Sequence, residues 1–226
     1  MANQDNDQGQ QTGQFREKLI RRKHEWAAEG RLLTGRKARP EAERLPAGQR
    51  EVKTWPVLDL GTQPNIDLNL WRLAIDGLVE NPVTLDWRKF QDLPHSDSTS
   101  DIHCVTAWSR YDNRWRGVLA TDLLDLVRPR PEARFVLLQS YDSYTTNLPL
   151  EEFAVPDALL ATHWEGEPLT VEHGGPLRVV VPHLYFWKSA KWVKRITFAA
   201  DDRPGFWEVR GYHNHGDPWE EERYSE

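Results

Sequence analysis

The chain has 226 residues, 38% hydrophobic and 11% aromatic, which is enough for one large domain or two small ones with a sizeable core. Its formal net charge of -6 argues against nucleic acid as a partner, because the phosphate backbone would be repelled. No apolar run approaches the ~18 residues of a membrane span. A charged segment, not an apolar one, follows Arg21 and Arg22, so no export signal is expected. These features predict a globular, cytoplasmic protein.

The first part of the chain differs in texture from the rest. Residues 1–14 are rich in Gln, Asn, Asp and Gly, which is typical of disorder. Residues 15–30 have high helix propensity, and Gly30 is a plausible stop. We therefore predict a polar leader over residues 1–50, partly disordered or helical, and a single domain over residues 51–226.

Short elements alternate irregularly within the predicted domain. Residues 70–79 alternate as a strand does and end in a loop at 80–82. The remaining predicted elements are a helix near 86–93, a helix over 121–127 with Thr121 as its N-cap, and strands over 134–140 and 177–181. Strands mixed irregularly with short helices predict an α+β fold with a mixed β-sheet.

The only cysteine of the chain, Cys104, begins the first of three polar clusters. A lone cysteine forms no internal disulfide, so it serves either packing or thiolate chemistry, as a nucleophile or a metal ligand. His103 is adjacent and would point away from Cys104 in an extended segment, which disfavours a Cys-His protease site. From this segment alone, packing and chemistry stay equally open.

Two further clusters of polar and charged residues lie later in the sequence. Residues 140–150 are rich in hydroxyl groups, which either form turns or hold a ligand at a strand end. The third cluster combines a Gly174-Gly175 pair with the cationic or ionisable residues His173, Arg178, Lys188 and Lys191. This combination suits an anion such as phosphate, although an exposed basic rim is the alternative. His213 and His215 have no second close ligand pair, so they are weak evidence for zinc.

Three segments in this order carry a specific resemblance: HCVTAWS at 103–109, HGGPLRVVVP at 173–182 and KW at 191–192. On these segments the chain resembles the molybdopterin oxidoreductases of the sulfite oxidase fold over residues 55–224. Within that family it is similar to small bacterial members related to the catalytic subunit of methionine sulfoxide reductase. The resemblance implies an α+β sulfite oxidase catalytic-domain fold, with mixed β-sheet and short helices, and a molybdenum-molybdopterin cofactor with one molybdenum per chain.

The resemblance also implies roles for individual residues. Cys104 matches the thiolate ligand of molybdenum, and Tyr144 resembles the active-site tyrosine of sulfite oxidases. Arg110, with Arg114 beside it, is a candidate for substrate contact. The implied cofactor-binding residues are Trp55, Pro56, Val57, Asp142 (or Ser140 in an equally defensible alignment), His173, Arg178, Ser189, Ala190 and Lys191.

Departures from the family pattern shape the expected activity. Sulfite oxidases follow the cysteine with an Asn-Arg-Arg run, whereas this chain has Trp108, Ser109 and Arg110. A strong sulfite pocket is therefore not expected, and the sulfoxide reductase branch, whose substrate is neutral, is the better match. The resemblance implies two-electron oxygen-atom transfer, with a sulfoxide or related small substrate as the expected substrate and sulfite-type oxidation as the alternative.

Partners and competing functions are also predicted. Only 34 residues follow Trp192, too few for an extra dimerisation domain, and no haem module is expected. Electrons would then pass through a separate carrier: a haem protein, a flavoprotein or a quinone-linked subunit. Two other classes stay open, a metal-free binding protein that retains the fold and a cysteine- or zinc-dependent hydrolase. The aromatic tail over 205–226 could cover the cofactor, bind a partner or complete the fold, and we favour the last.

Overall fold

The structure is a computed structural model that describes residues 43–225. The predicted disorder of residues 1–14, the predicted helix over 15–30 and its stop at Gly30 lie outside the described residues. A compact unit begins at Leu45, whereas the sequence places the start of the domain at residue 51. No helix in the described part of the chain is long and apolar enough to cross a membrane.

Eleven strands and three short α-helices are present between residues 43 and 225. In chain order they are β1 (Arg50–Glu51), β2 (Arg72–Gly77), β3 (Val83–Asp86), α1 (Trp87–Gln91), β4 (Ser96–Cys104), β5 (Trp108–Leu119), α2 (Ala120–Val127), β6 (Phe135–Ser140), β7 (Thr145–Pro149), α3 (Leu150–Phe153), β8 (Leu159–Trp164), β9 (Glu167–Pro168), β10 (Arg178–Val180) and β11 (Val193–Ala199). Single 3-10 turns lie at Val171–His173, Phe186–Lys188 and Glu208–Arg210.

The strands form two sheets. One has the order β1-β5-β8-β10, with β4 also paired to β5 and β9 to β8. The other has the order β3-β2-β11-β6-β7. Each sheet contains one parallel pair, β1 with β5 and β2 with β11, and the other pairs are antiparallel. The predicted α+β fold with mixed sheet is confirmed.

Alternation of apolar and polar residues explains how the second sheet is buried. In β2 the side chains of Leu73 and Ile75 are fully buried while their neighbours are partly or fully exposed, as a period of two requires. Aliphatic side chains from β2, β6, β10, β11 and α2 form the larger core cluster. A smaller cluster, which includes Cys104 and Trp55, lies on the β4-β5-β8 side.

The predicted helices are present, but one cap is wrong. Asp86 caps α1, because its Oδ1 accepts a hydrogen bond from the Lys89 amide at 2.8 Å. Helix α2 begins one residue earlier than predicted, and Leu119, with extended backbone and no side-chain hydrogen bond, is its N-cap. Thr121 is therefore already helical and cannot serve as the cap. The Ala120 amide is instead satisfied by the Ala158 carbonyl at 2.9 Å.

Candidate functional site

One cavity of ≈ 290 Å³ collects side chains from all three sequence clusters. Ten of the twelve predicted site residues line it: Trp55, Pro56, Cys104, Asp142, Tyr144, His173, Arg178, Ser189, Ala190 and Lys191. Its volume is close to the lower end of the roughly 300–1,000 Å³ that small-molecule sites occupy. Segments far apart in sequence thus meet at one place that can enclose a ligand.

Cys104 is the last residue of β4 and reaches the cavity at a tight turn. The turn closes because the Ala107 amide donates to the Cys104 carbonyl at 3.0 Å, with Ala107 in a left-handed conformation (φ 67°). The thiol sulfur lies 3.2 Å from the Thr106 hydroxyl. Burial raises the pKa of the Cys104 thiol, and the Thr106 hydroxyl opposes this rise. A buried, uncharged thiol becomes a thiolate when it binds a metal, so the position suits a ligand better than a free nucleophile.

The side chain of His103 points away from Cys104, as expected for adjacent residues of a strand. Its ring Nδ1 lies 2.8 Å from the Ser109 hydroxyl, and its ring packs edge-on against Trp219 with centroids 4.7 Å apart. His103 is buried but does not line the cavity. A His103–Cys104 catalytic pair is therefore absent from this site.

Arg178 supplies a buried positive charge to the cavity. Its side chain is 1% exposed, and its guanidinium donates to the carbonyls of His173 and Ser189, each at 2.8 Å. It also lies over the Phe186 ring at 4.1 Å. Within residues 43–225 no carboxylate forms an ion pair with it. Burial lowers the pKa of Arg178 to about 9, because the charged guanidinium loses its hydration. An anion bound here would offset that loss of hydration energy.

Gly174 makes room for a second cation beside Arg178. Its φ is +104°, and a Cβ at this position would lie 3.1 Å from the Cβ atoms of both Arg178 and Lys191. The Lys191 ammonium donates to the Glu172 carbonyl at 2.6 Å. Burial, and then the charge of Arg178, lower the pKa of Lys191 to about 8. The two cations therefore form an electropositive wall that favours an anionic group.

His173 joins this wall to the segment that begins at Trp55. The two rings stack with centroids 4.0 Å apart and an interplanar angle of 24°. The His173 Nε2 atom lies 3.3 Å from the Trp55 carbonyl. Burial, opposed by that carbonyl, lowers the pKa of His173. The other ring nitrogen, Nδ1, lies 3.0 Å from the Thr170 hydroxyl, so His173 is held on both nitrogens and contributes the face of its ring to the cavity region.

Tyr144 lies just before β7 and lines the cavity. Its hydroxyl donates to the Trp187 carbonyl at 2.7 Å. Burial is the main reason that the pKa of Tyr144 lies well above its usual value, and the charge of Glu208 raises it further. The phenol is therefore a neutral hydrogen-bond donor at physiological pH.

Three residues that the sequence assigned to ligand contact lie away from the cavity lining. Arg110 bonds to the Asn113 side chain, forms an ion pair with Glu165 at 3.4 Å and lies over the Trp164 ring at 4.7 Å. Arg114 pairs with Glu165 at 2.8 Å. Val57 is 41% exposed and is not part of the lining. A single carboxylate from the β8–β9 turn, Glu165, engages both arginines.

Lys188 is also not an anion-binding residue, because it pairs internally. Its ammonium forms an ion pair with Glu208 at 2.6 Å, and both side chains are buried. Ser140, the alternative to Asp142, is fully buried and does not line the cavity, whereas Asp142 does. His213 and His215 contact carboxylates: His215 bridges Glu152 at 3.1 Å and Glu222 at 2.7 Å.

Sequence reasoning missed the contribution of the tail. Trp207 and Tyr212 line the cavity, together with Trp187. The expectation that the tail only completes the fold is therefore incomplete, because this segment supplies part of the cavity wall. The available signal was the aromatic spacing of Phe206, Trp207 and Tyr212, but aromatic residues pack equally well without a ligand.

Comparison with known proteins defines the class of this protein as a molybdopterin-binding oxidoreductase. Residues 60–207 match the oxidoreductase molybdopterin binding domain family. The chain belongs to this family, which has the sulfite oxidase fold, and it is an enzyme.

Individual relatives place the chain more closely within the family. It is 46% identical over 186 residues, 82% of this chain and 94% of the relative, to the uncharacterized oxidoreductase YuiH of Bacillus subtilis. It is 28% identical over 161 residues to the protein-methionine-sulfoxide reductase catalytic subunit MsrP of Campylobacter jejuni, covering 64% of this chain and 54% of that protein. The chain therefore spans about half the length of that reductase.

A solved structure supports the fold independently. The sulfane dehydrogenase SoxCD from Paracoccus pantotrophus matches with a TM-score of 0.59 at 22% identity, over 70% of this chain and 46% of that one. At this level of identity the likeness concerns the fold.

Proposed function

We propose that the chain binds one molybdenum-molybdopterin, with Cys104 as the protein ligand of the metal, and reduces a neutral sulfoxide. The observation that carries this proposal is that a single cavity is lined by both Cys104 and Arg178, a buried cation without a carboxylate partner in the described residues. A thiolate suits a soft metal centre, and an unpaired guanidinium suits a phosphate.

The residues in the cavity fit each part of this cofactor. Cys104 offers the sulfur for the metal, and Arg178 with Lys191 offers charge for the phosphate. Asp59 and Asp142 also line the cavity and can accept hydrogen bonds from the amino and ring N–H groups of a pterin. Trp55 and His173 form a stacked pair that lines the cavity. When bound, the cofactor would supply the two-electron redox chemistry.

The remaining cavity wall favours a neutral substrate. Trp108, Trp187, Trp207 and Tyr212 supply aromatic surface beside Cys104. Arg110 and Arg114, the arginines expected to contact substrate, pair with Glu165 and do not line the cavity. Arg178 and Lys191 are the cations that line the cavity, and both are assigned to the phosphate. A sulfite dianion would therefore lack a dedicated partner, whereas a sulfoxide needs only one hydrogen-bond donor for its oxygen.

Tyr144 is the residue placed to provide that donor. A sulfoxide takes up two protons and two electrons, its S–O bond breaks, and a sulfide and water are released. Tyr144 is neutral and therefore able to donate to the oxygen, while the aromatic wall orients the two carbon substituents. The electrons would come from a separate carrier such as a haem protein, a flavoprotein or a quinone-linked subunit, in keeping with the MsrP relative being named as a catalytic subunit.

The test is metal and substrate analysis of the protein from a host that synthesises molybdopterin. We expect one molybdenum and one pterin per chain, and reduction of methionine, dimethyl or biotin sulfoxide with a reduced artificial donor. Sulfite oxidation that exceeds all sulfoxide reduction would replace this proposal with the sulfite alternative. Well-folded, active protein without molybdenum would refute the cofactor itself.

A further inference from the structure

Glu208 is a buried carboxylate directly behind the cavity wall. One of its oxygens, Oε1, accepts a hydrogen bond from the Thr146 hydroxyl at 2.9 Å and from the Trp187 indole N–H at 3.0 Å. The same oxygen lies 2.6 Å from the Lys188 ammonium. Its side chain is 1% exposed, so these contacts are made away from water.

The contacts of Glu208 join the three segments that carry the aromatic wall. Thr146 lies on β7, which Tyr144 precedes. Trp187 and Lys188 lie on the 3-10 turn Phe186–Lys188. Glu208 itself follows Trp207. A single carboxylate therefore fixes the spacing between Tyr144, Trp187 and Trp207, all of which line the cavity.

Lys188 extends this network to Asn214 in the tail. Its ammonium donates to the Asn147 carbonyl at 2.8 Å and to the Asn214 carbonyl at 2.6 Å. A fully buried ion pair seldom stabilises a fold more than apolar side chains of similar size would, because both charges lose their hydration. Such a pair next to a cavity therefore calls for an explanation other than stability.

Glu208 also acts on Tyr144 through its charge. The Tyr144 hydroxyl donates to the main-chain carbonyl of Trp187, the residue whose indole donates to Glu208. Burial first, and then the negative charge of Glu208, raise the pKa of the phenol. Lys188 pairs with Oε1 and offsets part of this charge, whereas the second oxygen, Oε2, is buried with no hydrogen-bond partner in the described residues.

We propose that Glu208, held by Lys188, is a positioning residue that holds Trp187 and thereby fixes the Tyr144 phenol at the cavity wall as the hydrogen-bond donor to the substrate oxygen. The role of Tyr144 as donor rests on the proposed function. On substrate binding, the phenol hydrogen bond passes from the Trp187 carbonyl to the oxygen of the sulfoxide. The phenol keeps its proton throughout, and the two protons that end in the water product come from solvent.

The first experiment measures the phenol directly and needs no bound cofactor. Protein labelled with 13C at the ring carbon that bears the hydroxyl is titrated by NMR, and the Tyr144 signal is assigned with Tyr144→Phe. We expect Glu208→Gln to lower the pKa of Tyr144, since the neighbouring negative charge is removed. Asp76→Asn is a matched control, because Asp76 also pairs with a cation and a threonine, Arg195 and Thr197, each at 2.8 Å, but on β2, three strands away from β7 in the same sheet.

The second experiment measures sulfoxide reduction by the loaded enzyme against pH. We expect Glu208→Gln to lower kcat by about 10- to 100-fold with a smaller change in KM, and to move the alkaline limb of the profile to lower pH. Glu208→Asp, which keeps the charge, should restore the position of that limb. Asp76→Asn should leave the profile unchanged.

Folding is controlled with the double variant Lys188→Met/Glu208→Gln, in which no buried charge is left unpaired. If Glu208→Gln is unstable, this variant should fold and still show the lower kcat. An unchanged Tyr144 pKa together with an unchanged pH profile in the charge-neutralised variants would overturn the proposal. Absence of sulfoxide reduction in the wild-type protein would instead refute the proposed function, and the NMR titration would still decide the electrostatic role of Glu208.

Discussion

Arg178 and Lys188 are both buried cations of the same half of the molecule, but their surroundings differ in one decisive respect. Lys188 has a buried carboxylate, Glu208, at 2.6 Å and does not line the cavity. Arg178 forms no ion pair with a carboxylate of residues 43–225; its guanidinium donates to main-chain carbonyls, packs on aromatic rings and lines the cavity. A buried charge that is paired internally belongs to the scaffold, whereas one without a partner marks where a ligand of opposite charge binds.

The largest expected effect comes from the thiol that shares the cavity with Arg178. Cys104→Ser should remove essentially all molybdenum from protein made in a competent host, because a serine hydroxyl is a harder and less acidic ligand. Metal analysis, with circular dichroism as the check on folding, measures this. Retention of stoichiometric molybdenum in the variant would show that the metal has no bond to this residue.

Lys188→Met tests the scaffold side of the comparison. It leaves Glu208 as a buried charge without its cation, so we expect the free energy of unfolding to fall by about 3–5 kcal/mol. Denaturant unfolding of the cofactor-free protein gives this value. Lys188→Met/Glu208→Gln should recover most of the loss, and a loss of stability below about 1 kcal/mol in the single variant would mean that the pair is hydrated in solution.

Arg178→Met should show the opposite pattern. Since no carboxylate is left unpaired, stability should change less than in Lys188→Met. Cofactor retention should fall by about 30-fold or more, the cost of truncating one partner of a buried charge pair. Pterin content after gel filtration measures the retention. Equal cofactor loss in Lys188→Met would remove the distinction between the two cations.

The pH dependence of cofactor retention sharpens the comparison on the Lys191 side. The pKa of Lys191 is lowered to about 8, so its charge is lost as pH rises through that value, and cofactor-free protein should bind a phosphate severalfold more weakly above it. In Lys191→Met this step should be absent. The same shift makes the folded state gain stability relative to the unfolded chain from about pH 8 upward, because the cation is disfavoured only in the fold.

Deletion of residues 1–30 is expected to have the smallest effect. The described residues that line the cavity all lie at or after Trp55, so molybdenum content should equal that of the full chain. Loss of molybdenum on this deletion would show that the leader takes part in the site.

The sequence predicts some parts of the molecule well for physical reasons. Apolar, β-branched runs identified the strands that became β2, β6 and β10, and the α+β class followed. Cys104 is a candidate as the single cysteine, and Arg178 is one as a cation in a cluster suited to an anion. The family resemblance assigns both residues to one cofactor.

What the sequence could not predict depends on the direction of side chains and on pairing in three dimensions. Arg110 and Lys188 are the right residue types in the right segments, yet each is engaged by a carboxylate far away in sequence, Glu165 or Glu208. Thr121 is a favoured capping residue, but the main chain enters α2 through Leu119. The contribution of Trp207 to the cavity required knowledge of where the tail returns.

The short pairing of β1 with β5 has a practical consequence for the design of fragments. Gln49 donates its side-chain amide to the Cys104 carbonyl at 3.0 Å, and Arg50 and Glu51 pair with Trp108 and Ser109 just after the cysteine turn. A fragment that starts at residue 51 would expose the edge of β5 and remove the second hydrogen bond to that carbonyl, and the exposed edge invites edge-to-edge association between molecules. The shortest expression fragment that keeps the Cys104 turn braced should therefore start no later than Leu45.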